Sequence, residues 1–193
     1  GERTPRAKSS RPWRRSLPRG VFSWVFSALV ILSVVFVGIG MNPSGSANAD
    51  SPAAFQQGVI KEVNLIAGQD YEHPAGTVIV SIADTDLVVT FETNDPWKMD
   101  ETHLYVGFAP PIDSAPGKLG YKHEPPGGVT SDTYVISLLS ELSVQCGSTL
   151  YIAAHAKLGS ETGSEETGWG EGTHFGDNWA MYFPVKIDCV EPS

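Results

Sequence analysis

The chain has 193 residues, of which 41% are hydrophobic, and a formal net charge of −9. Seven of its 13 Lys and Arg residues lie in 1–49, so that residues 50–193 alone carry a formal net charge of −15. A domain this acidic repels the phosphate backbone of nucleic acids and the surface of anionic membranes, so neither is an expected partner.

The N-terminal part of the chain has the features of a secretory signal. A basic tail precedes an uncharged, mostly apolar run at 21–41, and Ala47-Asn48-Ala49 follows it. A basic region, an apolar core and an A-x-A site together are typical of a cleaved signal peptide. We predict cleavage after Ala49, which divides the chain into a signal region at 1–49 and an exported domain at 50–193.

The apolar run also permits a second interpretation. It is long for a signal core, and about 20 apolar residues suffice to span a bilayer. Residues 21–41 would then remain as an N-terminal transmembrane helix that anchors the domain at the cell surface. The membrane is an expected partner only through this segment, and only if it is not cleaved.

Short β-type segments follow from residue 58 onward. Apolar and polar residues alternate in them, β-branched residues are frequent, and turn-forming residues separate them. The turn Asp84-Thr85-Asp86 between two such segments predicts a β-hairpin. Pro184 has no N–H for a strand ladder, so it predicts an edge position or a bulge. The predicted strands cover residues 58–66, 77–82, 87–93, 102–107, 133–138, 149–156 and 179–187.

Two long segments are predicted to be surface loops. The segment 108–129 is rich in Pro and Gly, and the segment 159–178 is rich in Gly, Ser, Thr and Glu. Long loops in compact domains often carry function. We expect both loops at the same end of the domain, where they would present His123, Trp169 and His174.

These elements predict a single all-β domain. No long amphipathic helical period occurs after residue 50, and seven or eight short strands with polar turns favour an antiparallel β-sandwich of the immunoglobulin-like or jelly-roll-like kind. A β-barrel is the alternative. Cys146 and Cys189 are the two cysteines of the chain, and in an oxidising compartment such a pair usually forms a disulfide.

The block 166–183 is the densest group of candidate functional residues. Its glycines allow a partner to approach the backbone closely, and an exposed Trp169 would stack on a sugar ring. The alternative is a hydrophobic plug, in which Trp169 and Phe175 fold back over the end of the sandwich. The candidate ligand-binding residues are His123, Trp169, Glu171 and His174.

The same block resembles a C-terminal signature, E-T-x-W-G-E-G-x-x-F followed by N-W-A-x-Y-F, in a family of secreted and surface proteins of bacteria and archaea. The matching positions are Glu166, Thr167, Trp169, Gly170, Glu171, Gly172, Phe175, Asn178, Trp179, Ala180, Tyr182 and Phe183. The segments 101–107, 120–124 and 150–156 resemble further parts of it. The resemblance implies an exported module and supplies no catalytic residues.

Metal binding has limited support in the sequence. The histidines show none of the spacings of zinc sites. Calcium is bound by carboxylate and carbonyl oxygens, and Asp84, Asp86 and Asp100 are candidates near predicted turns. The ordinary role of Asp at a turn, which is to bond its own backbone, explains the same residues. No other cofactor is expected.

Three functions are compatible with this sequence. The first is a non-enzymatic extracellular or cell-surface module for binding or surface assembly, with a glycan or a protein as partner. The second is a carbohydrate-binding module that uses Trp169. The third is a secreted hydrolase, although the chain lacks a G-x-S-x-G nucleophile motif. The first is the favoured prediction.

Overall fold

The computed structural model describes residues 54–190. Twelve strands, all paired antiparallel, and one short 3-10 helix at Pro116–Lys118 make up this part of the chain, which confirms the predicted all-β class. The strands are β1 Ala54–Phe55, β2 Gly58–Ala67, β3 Gly76–Ala83, β4 Asp86–Thr93, β5 Trp97–Gly107, β6 Tyr121–His123, β7 Ser131–Ser137, β8 Thr149–Ser160, β9 Glu165–Gly170, β10 Thr173–His174, β11 Met181–Lys186 and β12 Cys189–Val190.

The predicted signal region is not part of this description. Residues 21–41 and the cleavage site after Ala49 lie outside the described residues. Within 54–190, no helix has the length and apolar character needed to cross a membrane.

Ten of the strands form one sheet, and β1 and β12 form a separate two-stranded ribbon. Strand β8 organises the large sheet. One of its edges pairs with β5 along its whole length, whereas the other edge is shared between β11 at one end and β9 at the other. From β9 the sheet continues through β2, β3 and β4 to β7.

The main hydrophobic core lies on one face of this sheet. Strands β3 and β4 show its origin, since every second residue of each is buried. Val80 of β3 pairs directly with Val89 of β4, and Ile82 pairs with Leu87, so these apolar side chains meet across the strands. The predicted hairpin between β3 and β4 is confirmed, and Asp84 in its turn has a φ of 54°.

The two ends of the sheet approach each other along β5 and β7. Backbone hydrogen bonds join Met99 and Val129 in both directions, at 2.7 and 3.0 Å. Further along, the Tyr134 hydroxyl donates to the backbone carbonyl of Thr102 at 3.0 Å, and the Thr102 hydroxyl donates to Asp132. Side chains therefore close the seam where the backbones no longer pair.

The prediction that 159–178 is a loop is wrong, because β9 and β10 lie within it. Strand β9 was not recognised because it lacks apolar alternation. Its core-facing positions are Gly168 and Gly170, where an added Cβ would lie 3.0 Å from Leu158 and from Phe183, respectively. Because glycine has no Cβ, the side chains of Leu158 and Phe183 occupy the space above these two positions. The core face of β9 therefore carries no hydrophobic residue from which the sequence could predict a strand.

The segment 108–129 is also more regular than predicted. It contains the 3-10 helix and β6, which pairs with β5. Strand β5 itself begins at Trp97, five residues earlier than predicted, and carries an irregularity between Met99 and Glu101.

The predicted disulfide between Cys146 and Cys189 is confirmed, with the two Cα atoms 5.5 Å apart. It ties the turn before β8 to β12, and β12 in turn pairs with β1. The two ends of the described chain are thereby tied to the turn that precedes β8.

We expect the double substitution of Cys146 and Cys189 by Ser to lower the free energy of unfolding by about 4 kcal/mol. The bond closes a loop over a sequence separation of 43 and so restricts the unfolded chain. Urea denaturation of the oxidised protein and of the variant measures the difference. The native protein with reductant is the control and should behave like the variant. Equal urea midpoints in all three samples would contradict the prediction.

Candidate functional site

A row of side chains crosses the second face of the sheet, opposite the main core. Lys122 of β6 pairs with His103 of β5, His103 with His155 of β8, His155 with Trp169 of β9, and Trp169 with Ile66 of β2. Directly paired residues of antiparallel strands project to the same face, so these five side chains are neighbours in this order.

The Trp169 end of this row is covered. Trp169 is 2% exposed, and the edge of its ring packs at right angles against Phe175, with the ring centroids 6.0 Å apart. Of the two arrangements that the sequence allows, an exposed platform and a hydrophobic plug, the plug is therefore the one found. The buried members of this second cluster are Ile66, Leu119, Ala153, Trp169, Ala180 and Met181.

The other end of the row opens into a pocket of about 610 Å³, which we call the histidine pocket. Strands β5, β6, β8 and β9 and the 3-10 helix contribute to it. Its lining residues are Glu101, His103, Pro116, Gly117, Lys122, His155, Lys157, Glu165, Glu166 and Thr167.

Glu101 connects the charged groups of the pocket. One of its carboxylate oxygens accepts a hydrogen bond from His103 Nε2, and the other lies 3.0 Å from Lys122 Nζ. These two partners, His103 first, lower the pKa of Glu101 to about 2. The carboxylate is therefore ionised throughout the physiological pH range. Because an ionised carboxylate can only accept, its contact identifies Nε2 as a protonated nitrogen of His103.

His155 occupies the floor of the pocket. It is 5% exposed. Its ring lies between those of Trp169 and His103, with ring centroids 4.8 Å and 5.4 Å away, respectively. Burial, and secondarily the proximity of His103, lowers the pKa of His155 to about 3, so the imidazole is neutral at physiological pH. Within residues 54–190, its Nδ1 is the one buried side-chain nitrogen or oxygen without a hydrogen-bonding partner.

The structure does not bring the four predicted ligand-binding residues together. His123 lies at the seam between β5 and β7, where its Nδ1 donates to Asp132 at 3.0 Å and its ring stacks on Tyr134 at 4.0 Å. Glu171 accepts a hydrogen bond from Asn64 at 2.8 Å, outside the pocket. His174 is exposed and lies 3.3 Å from the hydroxyl of Tyr71. Trp169 alone adjoins the pocket, through its contact with His155.

The two predicted loop segments begin at opposite ends of the sheet, because β5 and β8 are antiparallel and Gly107 pairs with Tyr151 whereas Trp97 pairs with Ser160. They are nevertheless in contact. Gly176 packs so closely on Ser114 that an added Cβ would have no room, and the Asn178 amide donates to the Ser114 carbonyl at 3.5 Å. A second contact region is a smaller pocket that Gly127 and Gly128 share with the β8–β9 turn. Pro116, two residues after Ser114, lines the histidine pocket.

The three calcium candidates lie in different parts of the fold. Asp84 and Asp86 flank the β3–β4 turn, where the backbone N–H of Asp84 donates to the side chain of Gln57. The carboxylate of Asp100 instead lies against Gly128 and Gly159. Among residues 54–190, no three or more His, Cys, Asp or Glu side chains are placed to hold one metal ion together.

The sequence did not predict the histidine pocket as a site, although its residues lie in segments that share the resemblance. Glu101, His103, Lys122 and His155 all belong to the segments grouped with the C-terminal block by resemblance, and the fold brings these segments together. Comparison of the chain with protein-family models, with curated protein sequences and with solved structures found no match. The assignment of the pocket as the candidate site therefore rests on its geometry and chemistry.

The plug predicts a large stability loss for Trp169→Ala. Truncation of a fully buried aromatic side chain leaves a cavity and costs about 3–5 kcal/mol. Chemical denaturation measures the loss, and Phe108→Ala is the control because Phe108 is exposed. A loss in Trp169→Ala no larger than that in Phe108→Ala would contradict the buried arrangement.

The lowered pKa of His155 predicts acid-sensitive stability. Between pH 6.5, its ordinary value, and about pH 3, the unfolded chain binds a proton that the folded protein excludes, so stability must fall as the pH falls. We expect His155→Phe to lose less stability than the native protein between pH 7 and pH 5 in urea denaturation. The range from pH 7 to pH 5 lies above 4.5, the ordinary pKa of Glu101, so the titration of that carboxylate contributes little to the measured change in stability.

His73→Phe is the matched control for this measurement. His73 is exposed and bonded to Asp70, so its replacement leaves the buried imidazole in place. The control should keep the pH dependence of the native protein. If His155→Phe also kept it unchanged, the neutral buried state of His155 would be refuted.

Proposed function

We propose that the chain is a non-enzymatic extracellular or cell-surface module that binds its partner in the histidine pocket. One observation carries this proposal: the uncharged imidazole of His155 and the ionised carboxylate of Glu101 line the same open pocket. A few polar groups that converge in a pocket of this size are typical of a ligand-binding site.

The protonation states favour binding over catalysis. General acid–base catalysis is most effective when the pKa of the catalytic group is close to the working pH. Glu101 and His155, with pKa values of about 2 and about 3, neither take up nor release a proton near pH 7. The secreted hydrolase therefore receives less support from the pocket than a binding module does.

The extracellular location is part of the proposal. The signal-like features of 1–49 and the disulfide are both compatible with it, since disulfides persist in oxidising compartments. An uncleaved segment 21–41 would give the same domain as a membrane-anchored surface module. The curled antiparallel sheet is compatible with a sandwich of the immunoglobulin-like or jelly-roll-like kind, and the contact of its two ends along β5 and β7 is also compatible with the β-barrel alternative. The resemblance in 166–183 supports membership of a family of exported proteins.

The carbohydrate-binding alternative needs different contact residues from those expected from the sequence. A carbohydrate-binding module of this kind needs an exposed face of Trp169, but Trp169 is buried within the second hydrophobic cluster. Under this proposal, a glycan would instead be recognised by the polar groups of the histidine pocket.

The export and binding parts of the proposal are tested with one preparation. The full chain is expressed in a secreting bacterial host, and N-terminal sequencing of the released protein should begin at Asp50. The released protein is then screened by NMR against a library of small polyols, amines and carboxylates. We expect the bound compounds to shift the imidazole resonances of His103 and His155, with weaker binding in Glu101→Gln.

Glu92→Gln is the control, because Glu92 is an exposed carboxylate on β4 that does not line the pocket. A membrane-retained product that still contains 21–41 would establish the anchored form. Cytoplasmic protein with reduced cysteines would overturn the extracellular location. Shifts confined to residues outside the pocket would overturn the binding site.

A further inference from the structure

We propose that the free edge of strand β7, Ser131–Ser137, binds the same edge of a second copy of the chain. The two β7 strands run antiparallel in this pair and join two domains into one continuous sheet. This interaction surface goes beyond the proposed function, because none of the residues of β7 lines the histidine pocket.

One edge of β7 is occupied by β4, the single strand with which β7 pairs among residues 54–190. Near one end of this ladder, the N–H of Thr93 donates to the carbonyl of Thr130 at 2.9 Å. Near the other end, the N–H of Leu138 donates to the carbonyl of Thr85 at 2.8 Å. Alternate residues of an antiparallel strand direct both backbone groups to the same partner. The even-numbered residues of β7 therefore bond β4, and the odd-numbered residues direct their N–H and C=O groups to the opposite edge.

This opposite edge is free only over a short, defined length. Before it, both backbone groups of Val129 are bonded to Met99. After it, the carbonyl of Ser137 accepts hydrogen bonds from the N–H groups of Glu141 and Leu142, and the N–H of Ser137 donates to the Glu141 carboxylate at 3.1 Å. Between these ends lie three exposed residues whose outward backbone groups have no partner in the described part of the chain: Ser131, Thr133 and Val135.

The three residues are complementary to a second copy of themselves. In an antiparallel pair centred on Thr133, the two Thr133 residues face each other, and Ser131 of each copy faces Val135 of the other. Each facing pair exchanges both N–H to C=O bonds, so one two-fold axis satisfies every free group of both edges. The next facing residues are Val129 and Ser137, which are already bonded, so the ladder ends there.

The composition of this edge also permits self-association. Soluble proteins protect sheet edges with lysine, proline or charged side chains, and β11 carries both Pro184 and Lys186. The segment 133–140 contains no charged residue and no proline. The carboxylate of Asp132 lies on the core face, where His123 donates to it at 3.0 Å, so it is not presented on the outer face of the edge. The contact itself is therefore uncharged.

Two acidic domains repel each other over a longer range. Residues 50–193 carry a formal net charge of −15, and dissolved salt screens such repulsion. We expect a dimer whose Kd falls as sodium chloride is added. Sedimentation equilibrium measures it on the full chain as the secreting host delivers it, in detergent if it is anchored, up to millimolar concentration.

Hydrogen exchange followed by NMR locates the contact. The amide protons of Thr133 and Val135 should exchange more slowly as the protein concentration rises, because pairing protects them only in the dimer. The amide of Tyr134 is the internal reference, since it bonds β4 and should be protected at every concentration.

Two substitutions of Val135 test the edge directly. Val135→Pro removes an outward N–H and leaves the β4 ladder intact, and it should raise the Kd of the dimer about tenfold or more, because both copies lose a hydrogen bond. Val135→Lys places a charge on the edge and should also weaken the dimer. Val59→Lys is the matched control, since Val59 is 64% and Val135 62% exposed, and Val59 lies on β2, beyond β3 and β4. Circular dichroism confirms the fold of each variant.

The outcomes separate the edge from other modes of association. A native protein that stays monomeric at every concentration and salt level would overturn the proposal. A dimer that neither Val135 substitution weakens, or that Val59→Lys weakens equally, would overturn β7 as the contact. None of these results bears on the histidine pocket, which the NMR screen tests separately, and a pocket without a ligand would leave the dimer intact.

Discussion

The central position of β8, Thr149–Ser160, is the constraint on which the rest of the fold depends. Its one edge is paired with β5, and its other edge is shared by β11 and β9. Both of its faces are covered, one by the main core and the other by the second cluster. Three small residues, Ala153, Ala154 and Ala156, lie fully buried at its centre and leave room for the side chains of the two layers.

The histidine pocket is a consequence of how the second face is covered. Along the row from Ile66 to Lys122, the side chains change from wholly apolar, through two imidazoles, to a solvated ammonium. His155 lies where the apolar cover is still nearly complete, so it must remain neutral. Glu101 lies one step further out, where contacts with His103 and Lys122 stabilise its charge. At physiological pH one of these two neighbouring ionisable groups is therefore charged and the other is neutral, because pairing stabilises the charge of Glu101 and burial disfavours a charge on His155.

The seam between β5 and β7 shows a second use of polar side chains. Tyr134, Thr102, Asp132 and His123 form a connected set of contacts where the two backbones separate. Burial is the largest influence on Tyr134 and raises its pKa to about 12, so its hydroxyl stays protonated and can donate. His123 is explained by this structural role, which removes the reason to place it in a ligand site.

Local sequence determined much of the strand content but little of the candidate site. The alternation in β3 and β4, the turn at Asp84, and the isolated cysteine pair each depend on neighbouring residues or on residue chemistry, and all three were predictable. Strand β9 was not predictable, because glycines replace the apolar residues of its core face. The burial of Trp169 was left open, since a tryptophan between glycines suits an exposed platform and a plug equally well.

The sequence by itself determined an all-β chain with an acidic C-terminal domain, a signal-like N-terminal region and a pair of cysteines able to bond. The tertiary structure alone decided that His103 lies opposite His155 and that Glu101 and Lys122 join them. The physical reason is strand register. His103 and His155 belong to strands far apart in the chain, and their pairing is fixed by how β5 and β8 align under the two hydrophobic layers, which no local pattern records.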